Sequence, residues 1–230
     1  MMPADTENPW ALPLVLSLTA GYVDTAGFLA LQGLFTAHVT GNFVTLGASL
    51  ALGTSGAVAK LLALPVFCVV VIAIRLIGTL LSARYSAVFE AILGLKVLLL
   101  LAGAALAINW GPFENSDSWQ AVVTGMVLVA AMAVQNAAHR AYLGSTPPST
   151  LMTGTTTQIM IDLADTIYGK SRDGQLSSRM SNMTRSVIVF AVGCGAAALL
   201  YARYGVWCFV VPPGLAAISL LLRLASPIKT

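Results

Sequence analysis

Between Leu61 and Leu81 the sequence carries a single charged residue, Arg75. An α-helix needs about 20 consecutive apolar residues to cross the hydrocarbon core of a bilayer, and this run supplies them. Comparable runs recur from about Trp10 to Leu31, Ala87 to Ile108, Trp119 to His139, Arg185 to Leu200 and Val206 to Leu222. The 230-residue chain is 57% hydrophobic and 9% charged, whereas soluble domains carry about 25% charged residues. So little charge cannot cover a surface facing water. The lipid bilayer is therefore the expected surrounding, and the expected fold is all-α: a polytopic membrane helical bundle forming a single domain of six to eight membrane segments.

Two stretches interrupt the pattern. A polar segment runs from Gln32 to Asn42 and leads into a modestly apolar helix ending near Gly53. In the second half, Pro147-Pro148 leads into Leu151-Met152-Thr153-Gly154-Thr155 and a short helix to about Tyr168. The loop Asn109–Ser118 divides the chain into halves, about 10–109 and 119–225. Gly21–Ala26 resembles Met132–Ala137, Val39–Asn42 resembles Met152–Thr155, and Leu80–Tyr85 resembles Leu199–Tyr204, in the same order. These matches together favour an internal duplication, the ground plan of many small-solute transporters. If the two short helices span fully, there are eight crossings and parallel halves. If they are re-entrant, there are six crossings and inverted halves. In the six-span arrangement Arg84, Arg140, Lys170, Arg172, Arg179, Arg223 and Lys229 share the N-terminal side, and only Lys60 and Arg203 oppose them. The excess of Lys and Arg on cytoplasmic loops favours that arrangement, with both termini in the cytoplasm. The stretch Gly169–Met183 reads as a polar loop.

Asp24 is the sharpest chemical feature. An ionised carboxylate at the centre of a membrane helix costs about 2.5–3.5 kcal/mol, so it must face a partner, a wet cavity or the protein interior. It reads either as a proton-coupling or cation-binding group or as a structural anchor to a neighbouring helix. Tyr22 lies beside it, and its counterpart by the repeat is Gln135. The Thr40-Gly41-Asn42 and Thr153-Gly154-Thr155 segments read as helix starts at breaks in the membrane. Non-helical backbone at that depth survives only where protein or a water-filled cavity satisfies it. Two breaks in corresponding positions point to a solute site presenting helix N-termini; two ordinary capped helices at the interface are the alternative. Gln32 and His38 flank the first break, and Asn136 and His139 the second. A histidine beside a carboxylate can relay protons near neutral pH. Asp162 is expected to face the interior of the second half and Asp165 the interface. Arg75 is expected to snorkel to the surface. Lys96, deep in its run, is a candidate partner for Asp24 or Asp162.

No metal-binding pattern and no cofactor motif occurs; HExxH, GxSxG and CxxC are all absent, and no enzymatic activity is expected. Gly169-Lys170-Ser171 has only the tail of a phosphate-binding loop and follows no strand. Cys68, Cys194 and Cys208 sit in apolar runs and are expected to be small buried hydrophobes. The net charge of +3 contains no basic run, so nucleic acid is excluded as a partner. Asp5 and Glu7 precede the first apolar run without any Lys or Arg, so no cleaved signal is expected. Gly193, Gly195, Ala196, Ala197, Ala198, Gly103 and Ala104 permit close helix contacts, inside one chain or across a homodimer seam.

Gly21-Tyr22-Val23-Asp24, then Phe35, Thr40-Gly41-Asn42 and Gly47, resemble the first signature block of the YoaK-like family of small bacterial polytopic membrane proteins, a domain of unknown function. Gln135-Asn136-Ala137 followed by Thr153-Gly154-Thr155 resembles its second block, and the resemblance covers nearly the whole chain. It implies a bacterial inner membrane location and supplies no substrate. The residues themselves favour a secondary transporter or facilitator of a small polar or anionic solute. Tyr22, Asp24, Thr40, Gly41, Asn42, Gln135, Asn136, Thr153, Gly154 and Thr155 would hold the solute, with Asp24, His38 and Asp162 serving ion coupling. The rival reading is a membrane-embedded sensor or accessory subunit that moves nothing.

Overall fold

A computed structural model describes residues 10–82, 85, 87–169 and 174–225. The stretch before Trp10 and the residues Arg84, Lys170, Ser171, Arg172 and Lys229 lie outside the described residues. Among the described residues eight α-helices follow one another: α1 (Ala11–Ala30), α2 (Gly41–Leu52), α3 (Ala57–Ser82), α4 (Val88–Trp110), α5 (Trp119–Tyr142), α6 (Met152–Ile167), α7 (Gly174–Tyr204) and α8 (Val211–Ala225). A 3-10 turn, Gly205–Val210, separates the last two, and the left-handed φ of 55° at Gly205 lets the chain reverse there. Among the described residues there is no strand. Five helical runs are long and apolar enough to cross a membrane, and the last of them, Leu176–Ala225, contains α7, the turn and α8. The protein is a polytopic helical membrane bundle.

The direction of each helix follows from what meets at its ends. At one end Gln32 Nε2 donates to the carbonyls of Phe113 and Glu114, Ser55 bonds to Gln32, and Asp117 accepts from the amides of Gly56 and Val58. At the other, Arg223 at the end of α8 pairs with Glu90 at the start of α4, and Trp10, Thr146 and Arg179 lie together. Helix α7 runs parallel to α1: a side chain at Gly21 would meet the backbone of Phe190, and Cys194 neighbours Thr25. Thus α1, α4 and α7 run from the Trp10 end to the Gln32 end, and α3, α5 and α8 return.

The two short helices do not make the full traverse. After α1 the chain folds back beside Asp24, and α2 climbs from there to the Gln32 end. After α5 it folds back beside Gln135 and Asn136, and α6 descends from there to the Trp10 end. The packing partners mirror one another between the halves. Helix α1 packs on α7 as α5 packs on α3, α1 on α8 as α5 on α4, and α2 on α3 as α6 on α7, while α4 and α8 pack together. The corresponding helices run in opposite directions.

Helices α1 and α5 are the most buried of the long helices, yet they are less apolar than α3 and α4, which are largely exposed. That inverts the rule for soluble proteins: lipid accepts only apolar side chains, so polar groups are kept for the interior. The α1–α7 seam is tight enough to need glycine. A β-carbon on Gly193 would lie 2.4 Å from the Leu18 carbonyl oxygen, and one on Gly21 2.2 Å from that of Phe190.

Two expectations need correction. Most of the stretch read as a loop, Gly169–Met183, is helix, because α7 starts at Gly174 and its polar first turns hold Arg179 against Asp162. Cys208 is buried, but Cys194 is half-buried and Cys68 is exposed on α3. Lys60 is buried at the Gln32 end, with Nζ 2.6 Å from Ser49 Oγ.

Candidate functional site

Asp24 lies in the last third of α1, buried where the returning loop crosses it. Its Oδ1 accepts from the backbone N–H of Thr36 and of Ala37, both at 2.7 Å, with Thr36 Oγ1 and the His38 amide farther off at 3.4 Å. Its Oδ2 lies 2.7 Å from His38 Nδ1. A carboxylate satisfied on both oxygens by charge-assisted bonds is a strong tether. Here it replaces the water that an unpaired turn of backbone would otherwise require. Asn42 completes the turn: its Nδ2 donates to the Phe35 carbonyl and its Oδ1 accepts from the Phe35 amide, each at 2.8 Å.

The second half builds its loop differently. Gln135 Nε2 donates to the Leu16 carbonyl on α1 at 2.9 Å and to Ser149 Oγ at 3.2 Å. Thr150 Oγ1 donates to Asn136 Oδ1 at 2.6 Å. The two loops then meet, because the His38 ring is also turned to the backbone carbonyl of Thr150. The Asp24–His38 pair of the first loop and the Thr150–Asn136 pair of the second thus lie near one another.

A groove of about 600 Å³ opens beside His38, lined by Asp24, Thr25, Phe28, Phe35, Thr40 and Phe190 among others. The His38 side chain is 33% exposed and that of Asp24 6%, so the imidazole, not the carboxylate, meets the groove. Phe35 and Phe190 stand edge-on to the imidazole. The walls are chiefly apolar, so the groove suits a solute with an apolar body and one polar group more than a fully hydrated ion.

Several expected site residues are placed elsewhere. Tyr22 turns away from the groove, and its O–H donates to the Cys208 carbonyl at 2.8 Å, tying α1 to the 3-10 turn. At the start of α2 the N–H groups of Gly41, Asn42 and Phe43 are already taken, donating to the carbonyls of His38, Val39 and Thr40, and the Thr40 hydroxyl makes no cap. Thr153 and Gly154 face outward on α6, Thr153 in a shallow hollow with Thr156, Thr157 and Met160. Thr155 is buried and bonds back to the Leu151 carbonyl. Asp162 is held by Arg179 through two bonds of 2.6 and 3.1 Å, and by Gln158. The Arg179 guanidinium keeps the Asp162 carboxyl below the ordinary carboxylate range. Lys96 meets neither Asp24 nor Asp162; its Nζ is buried without a hydrogen-bond partner among the described residues. His139 places Nε2 3.1 Å from Thr146 Oγ1.

The residues the sequence reading missed are Thr36, Ser149 and Thr150, which carry the loop contacts, and the Glu90–Arg223 pair. The hydroxyl residues just before each break were their signal. Nothing in the sequence marked Glu90.

The comparisons find a family of unknown function and a transmembrane relative. The family model described as a protein of unknown function, DUF1275, matches residues 12–222. The chain is 29% identical over 193 residues to a UPF0700 transmembrane protein, YoaK, of Bacillus subtilis (strain 168), covering 80% of each. No solved structure matches the chain.

Proposed function

The chain belongs to the DUF1275 family, and from that premise we propose that it is a secondary transporter or facilitator with internally duplicated, inverted halves. One observation carries the reading: loops from opposite ends of the bundle fold back, one beside Asp24 and His38 and the other beside Gln135 and Asn136. Discontinuous helices at corresponding places in two inverted halves are where such proteins hold their solute. The mirrored packing of α1 through α4 and α5 through α8 supports duplication. Rocking one half against the other would expose the His38 groove to one side at a time.

The solute is small, with a polar or anionic group directed at the imidazole. The Asp24–His38 pair serves coupling as a unit: Asp24 orients the ring and favours its charged form, and His38 exchanges the proton. Arg140, Arg179 and Arg223 lie toward the Trp10 end and Lys60 and Arg203 toward the other, which supports a cytoplasmic Trp10 end in a bacterial inner membrane. Reporter fusions at the C-terminus read that orientation directly.

Uptake of labelled small anions and polar solutes into proteoliposomes, with and without a proton gradient, tests the function. Gradient-driven uptake of one solute, lost in His38→Ala, is expected. No uptake across such a panel by folded protein overturns transport. The saturation of Asp24 by backbone amides favours a second reading, a sensor or accessory subunit in which the carboxylate is only an anchor. A stable protein partner on purification and no flux would select it.

A further inference from the structure

Helix α2 contains 12 residues and so rises about 18 Å from its start to the Gln32 end. Thr40 and Gly41, at that start, line the His38 groove. The groove therefore lies well inside a hydrocarbon core of about 30 Å. Its other walls come from α1, the returning loop and α7. Helix α2 packs on α3 and on no other of the described helices, so no helix contact closes the groove between α2 and α7. The lip is apolar and exposed: Phe28 is 37% and Leu29 39% exposed, and Phe43 and Val44 in the first turn of α2 are exposed too. Exposed apolar side chains at this depth face acyl chains. The groove thus opens sideways into lipid.

Charge narrows what can enter. Asp24 is the only acidic and His38 the only basic side chain among the lining residues, and no Lys or Arg joins them. Lys60 lies behind Gly33 but is turned to Ser49. With His38 protonated the pair is neutral; with His38 neutral it carries one negative charge. In neither state is the groove positive, so an anion finds nothing to balance it. A cation fares no better, because both Asp24 oxygens are already bonded and the side chain is 6% exposed. A lone charge at membrane depth is disfavoured by about a hundredfold. The Thr40 hydroxyl, which makes no cap and is exposed, can take one uncharged polar group.

We propose that the groove takes its solute sideways from the bilayer, and that the solute is an uncharged, lipid-soluble molecule. Its apolar body lies against Phe28, Leu29 and Phe190, and its one hydrogen-bonding head meets Thr40 beside His38. A groove of about 600 Å³ has room for a molecule of drug size. This narrows the solute to the uncharged class and, for its movement, rests on the transport reading above. As a binding groove open to lipid it stands whether or not anything is moved.

A decanol carrying a diazirine on its chain tests both parts, with the protein in phosphatidylcholine nanodiscs. Illumination followed by peptide mass spectrometry maps the adducts. Adducts at Phe28, Leu29 and Phe190 are expected about tenfold above those at Leu76 and Leu80 on the outer face of α3. Decanol is expected to displace the probe, with decyl sulfate and decyltrimethylammonium about a hundredfold weaker. Thr40→Val is expected to weaken displacement by decanol about fivefold. Leu29→Trp, a change at an exposed position that narrows the mouth, is expected to remove the adduct at Phe190, whereas Leu76→Trp leaves it. Even labelling of groove and outer face overturns the lateral site, and so does a Phe190 adduct that survives Leu29→Trp. Displacement by either charged competitor as strong as by decanol overturns the uncharged class, and unchanged displacement in Thr40→Val overturns the head at Thr40. Uptake of a charged solute into proteoliposomes by protein whose groove stays unlabelled overturns this inference and leaves transport standing. Groove labelling without uptake of any solute upholds it and removes transport.

Discussion

Asn42 and the backbone of Phe35 hold each other by two opposed hydrogen bonds, each 2.8 Å, one donated from either side. Only a side-chain amide can give and receive in this way, so the asparagine of the Thr-Gly-Asn segment closes the first loop as a strand partner would. Asn42→Asp keeps the shape and loses the donor. The expected result is destabilisation by about 1–3 kcal/mol, the usual cost of stranding a buried carbonyl. Thermal unfolding in detergent should show a clear drop, and an unchanged midpoint would mean the pair is incidental.

Asp24 separates shape from charge. Asn at this position can still accept from the Thr36 and Ala37 amides, whereas Leu leaves both N–H groups unpaired at depth. Asp24→Asn should therefore fold with a loss of about 1–2 kcal/mol, and Asp24→Leu should lose several kcal/mol or fail to accumulate. Equal loss in both variants would show that the charge toward His38, not the amide cradle, holds the loop.

Gly193 and Gly195 differ by two positions and should differ sharply in tolerance. A β-carbon on Gly193 meets backbone of α1, whereas one on Gly195 meets nothing within 4 Å. Gly193→Val should lower the unfolding midpoint by the equivalent of about 3 kcal/mol or abolish expression, as overpacking against rigid backbone does. Gly195→Val should stay close to the parent. Similar behaviour of the two would refute the packing of α1 on α7.

Asp162 and Arg179 predict an acid limb. Arg179 lowers the Asp162 pKa in the folded protein relative to the unfolded chain. The stability this supplies is complete above the ordinary carboxylate pKa of about 4 and fades as pH falls through the lower folded value. Melting in detergent from pH 7 down to pH 3 should fall more steeply for the parent than for Arg179→Gln. Parallel curves would show that the pair contributes nothing to folding.

Much of this architecture could be read from the residues in order. Apolar runs too long for any soluble core, two polar breaks at matching places and one acid inside a membrane helix together specify a helical bundle, while leaving open whether the two short helices cross or return. Each follows from local physics: hydrocarbon rejects bare backbone and lone charge wherever they occur.

The partners were decided only when the chain closed on itself. Asp24 took the amides of its own returning loop, and Asp162 took Arg179 from a stretch that read as loop and became helix. Lys96, which the sequence offered to either acid, received neither. The sequence determined that these groups need satisfaction, because that cost is set by the medium. Which group supplies it depends on helix register and crossing, quantities fixed by contacts between residues far apart in the chain, such as Gly21 with Phe190 and Phe89 with Tyr142.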